Sequence, residues 1–130
     1  MTSRPLDVDV FSFQLGMINC FVEMVSFGVK KLALSPPLEP GDYGEIKPWS
    51  ERLVSEFKIK SFLEKELIVT DLSPEAFTRG KWVVLYFRSE DVLTSYMRLK
   101  SESEMVRREQ ITDKNRSQEL SKRFMRLLSY

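Results

Sequence analysis

The chain has 130 residues, of which 42% are hydrophobic and 30% charged, and its twenty basic and nineteen acidic side chains leave a formal charge of +1. This describes a single domain spanning 1–130, long enough to bury a core without staples, and it lacks the strong positive field of a dedicated nucleic-acid binder. With no histidine and one cysteine, imidazole triads, histidine or thiolate zinc sites and iron-sulfur ligation within one chain are excluded. A metal site would need to be all-oxygen, no EF-hand spacing is visible, and no cofactor is expected.

The first element is a nearly all-apolar run from about Val8 to Leu34. Its polar side chains Ser12, Gly16, Asn19, Glu23, Ser26 and Lys30 recur every three or four residues, which stacks them on one narrow helical stripe. The remaining circumference is apolar, wider than the roughly 100° arc of a surface helix. The expectation is therefore a long, buried N-terminal helix, central to the fold or buried in an oligomer interface. Asp7 or Asp9 suits its start, and Ser35, Pro36 and Pro37 its end. Gln14, Asn19 and Glu23 argue against a membrane span, since an acidic group near the bilayer centre costs about 3 kcal/mol. No secretory signal is read, so the expected location is cytoplasmic. Cys20 is expected as a buried, inert thiol.

Residues 35–49 hold Pro36, Pro37, Pro40 and Pro48 with Gly41 and Gly44, which predicts an irregular connection. Ser50 reads as the cap of a second helix carrying Leu53, Val54, Phe57 and Phe62. Leu67–Thr70 and Trp82–Phe87 are β-favouring runs and predict a small antiparallel hairpin, with Gly80 closing the turn before the second. A single helix from Lys81 to Met97 also satisfies the periodicity. The strand is preferred because Ser89, Glu90 and Asp91 make a fresh helix start. Helices are then expected from Glu90 to about Arg108 and from Asp113 or Lys114 to Leu128, with a break near Ile111–Asp113. No heptad run long enough for a coiled coil is visible. The fold class is predominantly helical α+β, with three or so helices beyond the first; an all-α bundle is the alternative.

Charge is uneven: residues 98–130, a basic helical C-terminal segment, carry nine basic and five acidic side chains. Arg107, Arg108, Lys122, Arg123 and Arg126 are its candidate phosphate contacts, although interleaved acids and missing aromatics favour a solvated helix surface. The apolar stripe Leu120, Phe124, Leu127 and Leu128 must dock on the first helix or on another subunit.

Three functional readings follow. In the leading one the protein is a non-catalytic interaction or oligomerisation module, a homo-oligomer or a partner of another protein, with Met17, Met24, Phe27 and the C-terminal stripe at the interface. In the second it binds a small anionic or nucleotide-like ligand, as a small enzyme or a binding protein. Asn19, Glu23, Tyr43, Arg79 and Lys81 would then line the site, Glu23 with its ionisation shifted by burial. Thr78–Lys81 places a glycine between cations beside Asp71 but lacks the P-loop spacing. The third, weakest reading is nucleic-acid contact through the basic tail.

Overall fold

The computed structural model describes residues 4–69, 78–108 and 114–129, and within them the side chains of 10–69, 78–107 and 115–129. Helix α1 spans Arg4–Ser26 and ends earlier than the apolar run because of Gly28, which stands at φ +79°. The Val29 amide donates to the Met24 carbonyl at 2.8 Å and the Gly28 amide to Val25 at 3.1 Å, the two closing bonds of a helix terminated by a left-handed glycine. The prolines expected to stop this helix instead follow strand β1, Leu32–Leu34. Asp7 and Asp9 lie in the first turns of α1, their side chains outside the described residues.

Helix α2, Pro40–Phe57, occupies most of the stretch read as an irregular connection. Pro40 enters at the first turn, where a missing amide costs nothing. Pro48 lies inside the helix and forfeits one backbone bond, a loss offset by packing. Ile46 and Ser50 are buried, and the rings of Tyr43 and Trp82 meet edge-on with centroids 5.7 Å apart. Ser50 is thus a mid-helix residue and not a cap; its hydroxyl shares a 2.7 Å hydrogen bond with that of Tyr86. Lys58, at φ 56°, ends α2 as Gly28 ends α1: the amides of Ile59 and Lys58 donate to Val54 and Ser55. Phe62 consequently belongs to the next strand.

That strand, β2, is Lys60–Glu64, and β3 is Val83–Phe87. The order is β1-β3-β2, with both outer strands antiparallel to β3: Leu32 faces Phe87, and Lys60–Glu64 run against Phe87–Val83. Residues 83–87 are strand, as preferred, but the partner differs from the expected one. Leu67–Val69 is not a strand, because side chains of the next helix satisfy its backbone. The Ile68 amide donates to the Tyr96 hydroxyl at 3.0 Å, and the Ser103 hydroxyl donates to the Val69 carbonyl at 2.7 Å. Thr70 lies outside the described residues, as do Asp71 and the expected break at 111–113. Gly80 does close a turn, at φ +73°, with the Lys81 amide donating to Thr78 at 3.0 Å.

Helix α3 is Glu90–Arg108, its start capped by Ser89 Oγ, which accepts the Asp91 amide at 3.2 Å. Helix α4 is Lys114–Leu128. All five residues of β3 are buried, and their alternation divides the core. Val83, Leu85 and Phe87 pack with Tyr96, Leu99, Val106, Leu120 and Phe124 of α3 and α4. Val84 and Tyr86 pack with Ile18, Val22, Val25 and Ile46 of α1 and α2. The fold is predominantly helical α+β, a small sheet between two helical layers. The stripe Leu120, Phe124, Leu127 and Leu128 is therefore core of its own chain, docked on the sheet face opposite α1 and not on α1. Among the described residues no helix is long and apolar enough to cross a membrane.

Burial in this divided core raises the Tyr86 hydroxyl to about 12, the Tyr43 hydroxyl adding to the effect and the Ser50 bond opposing it. A phenol whose folded value lies above its unfolded value of about 10 stabilises the fold fully below pH 10 and loses that contribution as pH rises toward 12. The expected loss from this group is roughly 2 to 3 kcal/mol. Urea unfolding at pH 9 and 11 should show a smaller alkaline loss in Tyr86→Phe than in the parent; equal losses would contradict this assignment.

Candidate functional site

Helix α1 carries two apolar stripes. Phe11, Leu15, Ile18, Val22 and Val25 face the sheet and α2. Val10, Phe13, Met17, Cys20, Met24 and Phe27 recur at intervals of three and four, centred roughly 140° around the helix from the first stripe at 100° per residue. Among the described residues no element covers this second stripe. Phe27 is 75% exposed, Phe13 64% and Val10 55%; Cys20 is exposed, while Met17 and Met24 are half-buried. Val29, also exposed, extends the patch beyond the helix end. The wide apolar arc is thus two seams, and only the inner one is packed, with Ile18, Val22 and Val25 buried and Phe11 and Leu15 half-buried. Cys20 is on the outside, contrary to expectation.

A second feature is a mixed-charge cleft of about 400 Å³ where residues 65–69 and 78–80 meet α3. Beneath it Glu64 is buried, although its strand position lies on a largely apolar sheet. Its Oε2 accepts the Tyr96 hydroxyl at 2.7 Å and Lys100 Nζ at 2.9 Å, and its Oε1 accepts the Glu66 amide at 3.3 Å. Burial, then the hydrogen bond to Glu64 and its charge, pushes the Tyr96 hydroxyl far up, against the opposing Ile68 amide. Tyr96 is therefore a proton donor locked in place. Lys100 neutralises a charge that would otherwise be stranded, so the triad ties α3 to β2.

The candidate ligand residues do not share one pocket. Asn19 borders a groove between α1 and α2 with Gly16, Trp49 and Arg52, and Glu23 is exposed on the solvent edge of α1. Tyr43 packs on Trp82. Arg79 joins Lys65, Lys100 and Arg107 at the mixed cleft, whereas Lys81 turns away to an ion pair with Glu39. Of the basic-tail candidates, Arg107 is at that cleft; Arg123 and Arg126 share a different hollow with Lys31 and Arg98. Lys122 is exposed, and the Arg108 side chain lies outside the described residues. Among the described residues no group of three or more His, Cys, Asp and Glu side chains is placed to hold a metal ion. No protein family, curated protein or solved structure matches the chain.

Sequence reasoning missed the second seam because it pooled all apolar residues of α1 into one arc. The signal was present: two interleaved sets, each spaced by three and four. It also missed Glu64, Tyr96 and Lys100, which are far apart in the chain and carry no motif.

Removing one partner from a buried ion pair strands the other. Lys100→Met should destabilise the fold by about 3 kcal/mol in urea unfolding, and adding Glu64→Gln should restore part of that loss. Additive losses in the double variant would show that the pair is not coupled.

Proposed function

We propose that the protein is a non-catalytic homodimerisation module whose working surface is the outward seam of α1, occupied by the same seam of a second copy. The observation that carries this reading is the exposure of Phe13 and Phe27 on one line of a helix whose other apolar line is already packed.

The spacing favours a second copy in antiparallel orientation. About a two-fold axis between Met17 and Cys20, Val10 meets Phe27 of the other copy, Phe13 meets Met24, and Met17 meets Cys20. Every residue of the seam then finds an apolar partner, as an isologous interface requires. The helix macrodipoles are opposed in this arrangement.

Size is adequate. From their exposures, Phe13, Phe27, Val10 and Val29 with the partly open methionines offer roughly 500 Å² per copy, so a pair would bury about the 1,000 Å² at which specific interfaces begin. This surface is apolar and free of buried charge, which suits a persistent pair more than a brief encounter.

Native mass spectrometry and sedimentation on the full chain test the reading. The parent should have twice the 15.3 kDa chain mass, and Phe13→Glu should weaken the pair about 100-fold or more, since it places two charges in the seam. Trp49→Ser, an exposed aromatic on α2, should leave the mass unchanged. A parent that stays monomeric at about 100 μM, well above the Kd of a specific pair, would overturn the reading. So would a dimer insensitive to Phe13→Glu.

A further inference from the structure

The uneven charge of the sequence becomes a local one in the fold. Two adjoining hollows, of about 260 and 400 Å³, meet at Lys31. The first is lined by Arg98 of α3 and by Arg123 and Arg126 of α4; the second adds Arg88, from the turn after β3. No acidic side chain lines either hollow among the described residues. Of the lining cations, Arg123 is held by Glu102 at 2.8 Å.

The topology explains the convergence. The pairing of Leu32 with Phe87 brings the preceding Lys31 beside the following Arg88 at one end of the sheet, and α3 and α4 pack on the adjacent sheet face. Lys31, Arg88, Arg98 and Arg126 are exposed and make no ion pair among the described residues. This separates them from the mixed cleft, where Lys100 is committed to Glu64 and Glu66 and Glu104 share the lining. A cluster of cations without counter-charges is destabilising in isolation, and an external anion relieves it.

We propose that this face, formed by Lys31, Arg88, Arg98, Arg123 and Arg126, binds the phosphate backbone of nucleic acid without reading its sequence. An extended polyanion fits better than a small ligand, because the cations come from four segments and form an open track through two hollows, where a small-molecule site encloses most of its ligand. Guanidinium groups match phosphate oxygens bidentately. The aliphatic lining, Val92, Leu99 and Leu127, supplies no ring for base stacking, so the contacts are to phosphates and carry no sequence information. The site differs from the basic tail read in the sequence: Arg107 and Lys122 lie outside it, and Lys31, Arg88 and Arg98 enter it from elsewhere in the chain.

Fluorescence anisotropy with a labelled 20-base-pair DNA duplex and a 20-nucleotide RNA tests this on the full chain. Saturable binding is expected at 50 mM salt, with log K falling against log salt at a slope of about −3 to −4, as for four or so neutralised phosphates. Arg98→Ala with Arg126→Ala should weaken binding at least about tenfold and flatten the slope by about two. Both arginines are exposed and make no ion pair among the described residues, so the fold should survive; an unchanged thermal transition checks this. Arg79→Ala, at the other cleft, should bind like the parent. Absence of binding to both probes at 50 mM salt would overturn the proposal, as would binding indifferent to the double variant. Binding to phosphatidylserine vesicles without binding to either probe would overturn it in favour of a membrane surface. None of these outcomes depends on the oligomeric state, so the dimer reading stands or falls separately.

Discussion

Everything in this fold depends on a five-residue strand that must be buried on both faces. Val83–Phe87 has no solvent side, so each of its faces requires a helical layer, and neither layer has a core without it. The alternation of the strand assigns the partners: Val83, Leu85 and Phe87 to α3 and α4, Val84 and Tyr86 to α1 and α2. Two polar groups on the faces of the sheet fix the layers in register. Tyr86 meets Ser50 of α2, and Glu64 of the neighbouring strand meets Tyr96 and Lys100 of α3. Each is specific because a buried polar atom left without a partner costs more than its bond contributes.

This constraint also determines what remains on the outside. One side of α1 satisfies the sheet, and no described element lies beyond it, so its second apolar seam has no partner within the described chain. The proposed dimer follows from that geometry and not from a general excess of hydrophobic residues. On the other layer the apolar stripe of α4 packs against the sheet and α3, which turns its basic flank, with Arg123 and Arg126, toward Lys31 and Arg98.

The elements with local signals were legible in the sequence. Ser89 and the acidic residues after it marked the start of α3, the β-branched and aromatic run marked β3, and Gly80 marked a turn. Errors arose where tertiary contacts outweigh local preference. Pro48 and the surrounding glycines read as a loop, yet Tyr43, Ile46 and Ser50 hold them in a helix against Trp82 and Tyr86. Leu67–Val69 has strand composition, but Tyr96 and Ser103 take up its backbone bonds before another strand can. Gly28 carries the stop signal of α1, and the prolines beyond it lie after β1. The candidate surfaces were half legible: Met17, Met24 and Phe27 lie on the outward seam, whereas the cationic face draws on residues separated by up to ninety-five positions (Lys31 and Arg126), a convergence that only the strand pairing produces.

The most direct measurement is disulfide trapping between two differently substituted chains. In a Cys20→Ser background, Val10→Cys and Phe27→Cys proteins are mixed and mildly oxidised, because antiparallel pairing sets Val10 of one α1 against Phe27 of the other. The account predicts that the mixed disulfide forms far faster than either homodisulfide and only above the dissociation concentration of the pair. Preferential trapping of each variant with itself, or no concentration-dependent trapping, would contradict the antiparallel seam.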